Sequence, residues 1–522
     1  MFDERAIGLI RRHTIGDTLR RTAARVPSRI AIACGAVRWT YAEFDALATR
    51  VAAGLLARGV GLQDRVAVIA RNSHSFAALR FGLARLGAVM VPINYMLQPA
   101  EAAHILRHCG AKALCVDNEF AALGAEAAGQ GTAVATLIWL PGEAPSGQPA
   151  GTVAFEEIAA CDAAFADPGF GADQVAQIMY TSGTEALPKG VLLSHEAILT
   201  QYVSAFVDFE IREDDRILHA LPMYHCAQLD AILGPSVQAG GYNLIIGAPA
   251  PDRVLTLIAE HRISSFFAPP TVWIALLRSP LFDQTDLSSL RKGYYGASIM
   301  PVEVLKEMQR RLPGLRLWNG YGQTEMAPLA LVLKPEDQLR KAGAAGHPCI
   351  NVETRVVRDD MTDVEVGEVG EIVHRSPHLM LGYLDDPEKT AAAFEGGWFH
   401  SGDLATKDDE GYITVVDRKK DMIKTGGENV PSREVEEVLY RLTGVVEAVV
   451  IGLPDPVWVE AVTAVIVPQP GAVLVEADVL AHCGGLAVYK RPKRVIFTET
   501  LPKNASGKVM KRELRLAYSS QD

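Results

Sequence analysis

The sequence predicts an α/β protein: a large N-terminal domain of two αβ-layered parallel sheets with a small β-barrel-like subdomain, then a small α+β domain at the C-terminus. Three observations predict it. Short apolar runs alternate with helix-length segments through roughly the first 350 residues, the spacing of βαβ units around parallel sheets. Between Gly346 and Val416 the texture changes to short β segments punctuated by Gly367, Gly370, Gly382, Gly396, Gly397 and Gly402. The run Asp417-Arg418-Lys419-Lys420-Asp421 then has almost nothing to bury, which places a domain boundary at Lys420, with residues 1–419 before it and 420–522 after.

Taken in order, two helices come first. Asp17 is placed as the cap of one. Thr40 with Glu43 forms a capping box for the other, where Phe44, Leu47, Val51 and Leu55 recur at helical spacing. Residues 65–70, 87–92 and 113–116 read as buried strands, with helices at 75–86 and 99–108 between them. From 120 to 172 the chain is rich in Ala, Gly and Pro and weakly patterned, which suggests a surface connection. The alternation resumes with helices at 252–261, 270–278 and 301–311 and strands at 263–267 and 292–295. Residues 354–357, 371–374 and 411–416 supply the β segments of the subdomain.

The 522 residues carry a formal charge of −11, so nucleic acid is excluded as a general partner. Seven cysteines include no Cys-x-x-Cys pair, which argues for reduced thiols in a cytoplasmic setting and against zinc. No apolar run reaches the roughly 18 residues of a membrane span, and the charged start Met1-Phe2-Asp3-Glu4-Arg5 has no signal-like core. From Lys490 to Arg515 nine Lys or Arg face two Glu, a local basic surface suited to an anionic ligand or simply to solvent.

The chemistry-bearing stretches are loops after strands. Tyr180-Thr181-Ser182-Gly183-Thr184-Glu185-Ala186-Leu187-Pro188-Lys189-Gly190 follows the apolar run 175–179, and its hydroxyls, glycines and lysine suit phosphate oxygens. The same composition also makes an ordinary surface loop, and neither a P-loop nor a dinucleotide-binding glycine pattern occurs in the chain. Asn319-Gly320-Tyr321-Gly322-Gln323-Thr324-Glu325 puts a carboxylate, a hard ligand for Mg²⁺, on a loop after a strand. Ser401-Gly402-Asp403 puts an acid on a turn, where it can accept from a ribose diol or merely cap the turn. Lys508 closes a glycine-containing loop near the C-terminus.

In this order and spacing, Thr181–Gly190, Tyr321–Glu325, Ser401–Asp403, Asp417–Lys420, Gly426-Gly427-Glu428-Asn429 and Lys508 resemble the adenylate-forming superfamily of acyl- and aryl-CoA synthetases, luciferase and peptide-synthetase adenylation domains, over essentially the whole chain. The resemblance implies an acid–thiol ligase that uses ATP, Mg²⁺ and coenzyme A, and a small C-terminal domain that moves about Lys420. Thr181, Ser182, Gly183, Thr184 and Lys189 would hold the ATP phosphates, and Glu325 with Thr184 would hold the metal. Thr324 would touch the α-phosphate. Gly296, Ala297, Ser298, Asn319, Gly320 and Tyr321 would flank adenine, while Asp403 and Arg418 would take the ribose. Lys508 would bridge the acid's carboxylate and the α-phosphate, whose repulsion is about 4 kcal/mol for unit charges about 4 Å apart at an effective dielectric of about 20. After rotation about Lys420, Gly426 and Gly427 would line the pantetheine tunnel. His225 would be either a gate to the carboxylate pocket or a packed histidine; Tyr224, Gln228, Trp273, Tyr295 and Gly322 would shape the acyl cavity for a medium-chain, aryl or polycyclic acid. A carrier-protein thiol in place of CoA, a homodimer and a catalytically degenerate adenylate-binding protein stay open.

Two positions depart from the family. Glu185-Ala186 stands where Thr-Gly is usual, and Val459 precedes Glu460 where Gly is usual. A carboxylate beside a triphosphate is unfavourable, and Ala costs on the order of 1 kcal/mol wherever φ must be positive. The double substitution Glu185→Thr/Ala186→Gly is expected to lower the KM for ATP, measured by pyrophosphate release; an unchanged KM would refute the penalty.

Overall fold

The computed structural model describes residues 8, 10–181, 188–296, 300–503 and 509–519. Two large sheets dominate it. The first has nine strands, of which Ile30–Cys34, Tyr242–Ile245, Arg216–His219, Ser265–Phe267, Lys292–Gly296 and Arg316–Gly322 are neighbours in that order and all parallel. The second has eight, with Val175–Thr181, Val89–Pro92, Arg65–Ile69, Ala113–Val116, Thr136–Trp139 and Val153–Ala154 parallel and in that order. Lys189–Ser194 and then Gly382–Tyr383 extend its other edge antiparallel.

Helices Ile15–Arg25, Tyr41–Ala57 and His74–Leu86 contribute to one core cluster that takes Ile32, Ile217 and Ile245 from the first sheet and Val66, Met90 and Val191 from the second. His74–Leu86 is buried on nearly every side, its buried Arg80 paired with Asp230 at 3.0 Å. A second cluster covers the opposite face of the nine-stranded sheet with helices Pro251–Glu260, Pro270–Arg278 and Val302–Arg311. The subdomain is a four-stranded antiparallel sheet: Glu353–Val357, Gly370–Arg375, Phe399–Lys407, Ile413–Arg418. Beyond it, Ile423–Thr425, Glu428–Val430, Val445–Asp455, Val459–Pro468 and Arg494–Phe497 form a separate five-stranded sheet with its own core. Among the described residues no helix is long and apolar enough to cross a membrane.

The Thr40–Glu43 capping box is present, with Glu43 N–H on Thr40 Oγ1 at 3.2 Å and Thr40 N–H on Glu43 Oε2 at 2.7 Å. Asp17 is not the cap of the first helix. Thr14 is, and Asp17 sits one turn in, accepting from Thr14 N–H at 3.0 Å and holding Arg12 and Arg20. The stretch 120–172 is more than a connection: it forms helix Ala121–Ala128, the last two strands at one side of the eight-stranded sheet, Thr136–Trp139 and the edge strand Val153–Ala154, and helix Phe155–Ala159. That last helix approaches so closely that a Cβ on Gly54 would meet Ile158 O at 2.2 Å. Edge strands this short carry too few residues for a periodic signal.

Five histidines are buried in the large N-terminal part. Desolvation pushes His74, His219 and His378 down to about 4, and His195 and His374 down to about 3. In the unfolded chain they bind protons near pH 6.5. The stability they favour is therefore fully present above about pH 6.5 and drains as pH falls toward 4, at up to roughly 1.4 kcal/mol per histidine per pH unit. Thermal melts are expected to shift steeply downward between pH 6.5 and 4.5; a melting temperature flat across that window would contradict neutral burial.

Candidate active site

Parallel strands place their C-terminal ends on one edge of a sheet, where α/β proteins gather ligand-binding loops. Here His219, Phe267, Gly296 and Gly322 end four such strands. Gly296 and Gly320 are register partners so close that a Cβ on Gly296 would meet Gly320 O at 2.5 Å. Asn319 is anchored from the same strand, its Nδ2 donating to Ala344 O at 3.0 Å. Ala297 and Ser298 lie outside the described residues.

The eight-stranded sheet supplies the second wall. Thr181 and Lys189 are register partners across the antiparallel pair that carries the phosphate loop. Ser182, Gly183, Thr184, Glu185 and Ala186 lie outside the described residues. The strand Gly382–Tyr383 pairs with Val191 and Leu192, Leu384 N–H donates to Gly190 O at 2.8 Å, and Met380 N–H donates to Glu325 O at 2.8 Å. This strap aims Tyr383 at the loop. Its hydroxyl donates to Glu325 Oε1 at 3.0 Å, and Lys189 Nζ stands 5.2 Å over its ring. Glu325 is 9% exposed, and burial raises its carboxyl pKa against the opposing pull of Tyr383, Arg418 and Lys189. Burial, followed by the nearby Glu325 charge, keeps the Tyr383 phenol protonated and hence a donor.

The subdomain contributes Asp403, register partner of Arg418. Its Oδ1 lies 3.2 Å from Arg418 Nε, and its Oδ2 accepts from the Tyr321 hydroxyl at 2.7 Å. A carboxylate 5% exposed is thus oriented from two sides, by a cation and by a phenol. Arg418 also acts on Glu325, which links the two acids electrostatically.

The segment after Arg216–His219 forms the third wall. Cys226 Sγ lies 3.6 Å from Thr324 Oγ1, and burial pushes the thiol up to about 12. His225 Nδ1 accepts from Ala227 N–H at 3.2 Å. Gln228 Nε2 donates to His219 Nδ1 at 2.7 Å. Tyr224 meets Tyr95 edge-on at 4.9 Å, and its buried hydroxyl has no hydrogen-bond partner. Gly322 closes against Pro328, whose carbonyl oxygen would lie 1.8 Å from a Cβ there. Trp273 and Tyr295 belong to the second core cluster: the Trp273 indole donates to Tyr294 O at 3.1 Å and the Tyr295 hydroxyl to Gln338 Oε1 at 2.6 Å.

Beyond residue 420, Gly426 (φ +59°) and Gly427 (φ +87°) form a two-residue hairpin turn of the kind that requires positive φ at both positions. Trp458 packs on Gly426, which donates to Trp458 O at 2.7 Å. Lys420 is exposed at the start of this unit, and Lys508 lies outside the described residues. Asp417 reaches across the boundary: its Oδ2 accepts from Ser432 N–H and Oγ, both at 2.7 Å, capping helix Ser432–Leu439.

Sequence reasoning missed Tyr383, His219, Cys226 and Asp417. Each acts through a partner on another element, 58 residues away for Tyr383 and Glu325, 98 for Cys226 and Thr324, 15 for Asp417 and Ser432, and 9 for His219 and Gln228. Only the short β-compatible run Leu381-Gly382-Tyr383 hinted at pairing.

The chain matches the model of the AMP-binding enzyme family over residues 19–384 and that of the AMP-binding enzyme C-terminal domain over 434–508. It is 38% identical to a feruloyl-CoA synthase of an Amycolatopsis species, covering 98% of this chain and 100% of the relative. It is 36% identical to an indoleacetate–CoA ligase of Aromatoleum aromaticum, covering 96% and 97%. A long-chain-fatty-acid–CoA ligase of Mycobacterium tuberculosis is 38% identical, covering 93% and 94%. Among solved structures, an anthranilate CoA ligase in complex with anthranoyl-AMP superposes with a TM-score of 0.89 at 27% identity, covering 97% of each chain. The chain belongs to the AMP-binding enzyme family, within the adenylate-forming superfamily.

Proposed function

We propose that this chain is an AMP-forming acid–CoA ligase whose acid is aromatic. The observation that carries the reading is the convergence of Lys189, Glu325 with Tyr383, and Asp403 with Tyr321 and Arg418, from segments more than 200 residues apart, around the edge where adenylate-forming enzymes work. A feruloyl-CoA synthase, an indoleacetate–CoA ligase and an anthranilate CoA ligase among its relatives support an aryl acid and CoA as acceptor. The fatty-acid ligase at 38% identity favours a second reading, an aliphatic acid at the same site.

In the first half-reaction a carboxylate oxygen attacks the α-phosphorus of ATP, a P–O bond forms, and pyrophosphate leaves. In the second, the CoA thiol attacks the acyl carbon, its proton goes to solvent, and AMP leaves. Thr181, Ser182, Gly183, Thr184 and Lys189 bind the phosphates, and Thr324 contacts the α-phosphate. Gly296, Ala297, Ser298, Asn319, Gly320 and Tyr321 flank adenine; Asp403 and Arg418 take the ribose. Glu325 and Thr184 offer hard oxygens that fit Mg²⁺, which supplies charge neutralisation between phosphates. A buried carboxyl with a raised pKa gains most from a nearby cation, which supports this assignment. Lys508 neutralises the approaching carboxylate, and His225 gates the acid. Residues 420–522 rotate about Lys420 for thiolation, bringing Gly426 and Gly427 to the pantetheine. All seven cysteines are free thiols, in keeping with a cytoplasmic enzyme.

Mass spectrometry of reactions with MgATP and aryl, fatty and polycyclic acids, with and without CoA, is expected to yield aryl-CoA and AMP. Acyl-AMP that persists with CoA present would move the acceptor to a carrier protein, and turnover of fatty acids alone would establish the aliphatic reading. Lys508→Ala is expected to cut adenylation by roughly 10²-fold or more. It should spare thiolation of supplied acyl-adenylate better than Lys420→Ala does, and equal losses in both steps would defeat that division of labour. Tyr383→Phe is expected to raise the Mg²⁺ concentration for half-maximal ATP binding by about tenfold, the loss of a hydrogen bond to a charged group; calorimetric titration at fixed ATP reads this without turnover.

A further inference from the structure

A chain of three buried side chains fixes one amide in the acid-side wall. Asn243 Nδ2 donates to Ala31 O at 2.9 Å and Gly241 O at 3.1 Å, so Asn243 Oδ1 is the end that faces His219 Nε2, 2.9 Å away, and it accepts. His219 Nε2 therefore carries the proton. Burial keeps the ring neutral, which leaves Nδ1 an acceptor. Among the described residues the donor it meets is Gln228 Nε2, at 2.7 Å. The amide of Gln228 is thereby turned so that Oε1 is committed to no one. Gln228 is 1% exposed and its Oε1 has no hydrogen-bond partner among the described residues.

A buried carbonyl oxygen without a donor is unfavourable, and proteins keep few of them. The place of this one is informative. His219 ends its strand at the same edge of the sheet as Gly296 and Gly322. Gln228 stands two residues after Cys226, which touches Thr324. It also opens directly into a one-turn π-helix, Leu229–Leu233, a form that recurs at functional sites. Asp230 pins that turn through Arg80 at 3.0 Å and Gln177 at 2.5 Å. The segment is thus held in place, and no protein donor reaches Gln228 Oε1 among the described residues.

We propose that Gln228 Oε1 is a specificity-determining acceptor that selects acids carrying a hydrogen-bond donor, an O–H or N–H, on the aryl ring. The inference rests on the aryl-acid reading above. A site built to accept from a donor rejects the analogue lacking it more strongly than an apolar pocket rejects an extra group. A ring hydroxyl supplies the donor, a methoxy group at the same ring position fills similar space without one, and unsubstituted acid leaves Oε1 bare.

The test compares kcat/KM for AMP formation with cinnamate and its 2-, 3- and 4-hydroxy and matching methoxy derivatives, using the full chain with MgATP and CoA. At one ring position the wild type is expected to prefer hydroxy over methoxy by tenfold or more. Gln228→Leu is expected to bring that ratio to near one, and Gln228→Glu, which keeps an acceptor, to retain a preference. Equal kcat/KM for hydroxy and methoxy acids at every position in the wild type overturns the proposal without any variant, and so does a preference that survives in folded Gln228→Leu. Turnover of fatty acids with none of the cinnamates removes the aryl reading itself, and this inference with it.

Discussion

The antiparallel pairing of Val175–Thr181 with Lys189–Ser194 is the constraint on which the site depends. It holds the two stems of the phosphate loop in register, so that Thr181 faces Lys189 whatever the loop between them does. Because Val175–Thr181 also pairs parallel with Val89–Pro92, those stems are rooted in the largest core of the molecule. A sheet edge left at Lys189–Ser194 would expose unpaired N–H and C=O groups. Gly382–Tyr383 covers it, and in doing so delivers the Tyr383 hydroxyl to the Glu325 carboxylate and Met380 N–H to the Glu325 backbone carbonyl. One edge-capping strand thus joins the stems at Thr181 and Lys189 and the Glu325 carboxylate into a single construction.

Electrostatics sets how these acids can be used. A carboxylate taken out of water must be paired or it takes up a proton. Asp403 is paired, by Arg418 and Tyr321, and presents a fixed acceptor. Among the described residues Glu325 has a neutral phenol in direct contact, with Lys189 and Arg418 farther off, and burial raises its pKa. The two acids are therefore held differently: Asp403 by a cation and a phenol, Glu325 by a phenol in a setting where burial disfavours its charge. A third acid, Asp417, spends its charge on the N-terminus of helix Ser432–Leu439, where Pro431 offers no side-chain cap. Beyond the same boundary Lys511 is half-buried beside Glu436 and Ser432; desolvation works against its charge, but Glu436 and Asp417 outweigh it and raise its pKa. These contacts tie the start of the C-terminal unit and its last helix, Lys511–Ser519, to residue 417.

What was legible in the sequence were features that repeat or that lie close together along the chain. The capping box at Thr40 and Glu43, the burial of Phe44, Leu47, Val51 and Leu55, and the alternation that builds both large sheets follow from local patterns. So does the order of the loops that carry Thr181, Glu325 and Asp403. What could not be read were side-chain pairings between separate elements, which leave no periodic signal: Tyr383 with Glu325, Asp417 with Ser432, and the triad Asn243, His219 and Gln228. Short edge strands such as Val153–Ala154 hold two residues, below any period. Trp273 illustrates the opposite error of emphasis: a large aromatic suggests a pocket, yet its indole N–H is satisfied by Tyr294 O within a core of Phe266 and Leu276.

The departure at Val459 acquires a physical meaning from the backbone. Its φ is +71°, a region where a β-branched residue is a true outlier and where glycine would be at ease. The strain, on the order of 1–2 kcal/mol, buys no packing, since Val459 is 69% exposed. Its neighbours explain why the conformation persists. Gly426 N–H holds Trp458 O at 2.7 Å, Lys424 N–H holds Glu460 Oε2 at 2.6 Å, and Val459 pairs with both Thr425 and Asp455. Two sheet partners and two flanking hydrogen bonds over-determine the residue, which is how strained positions survive. The hairpin turn at Gly426-Gly427 is thus braced by the residues on either side of a strained one. Any side chain is tolerated at 459 at that energetic penalty as long as the bracing holds, so this departure leaves the geometry of the turn intact.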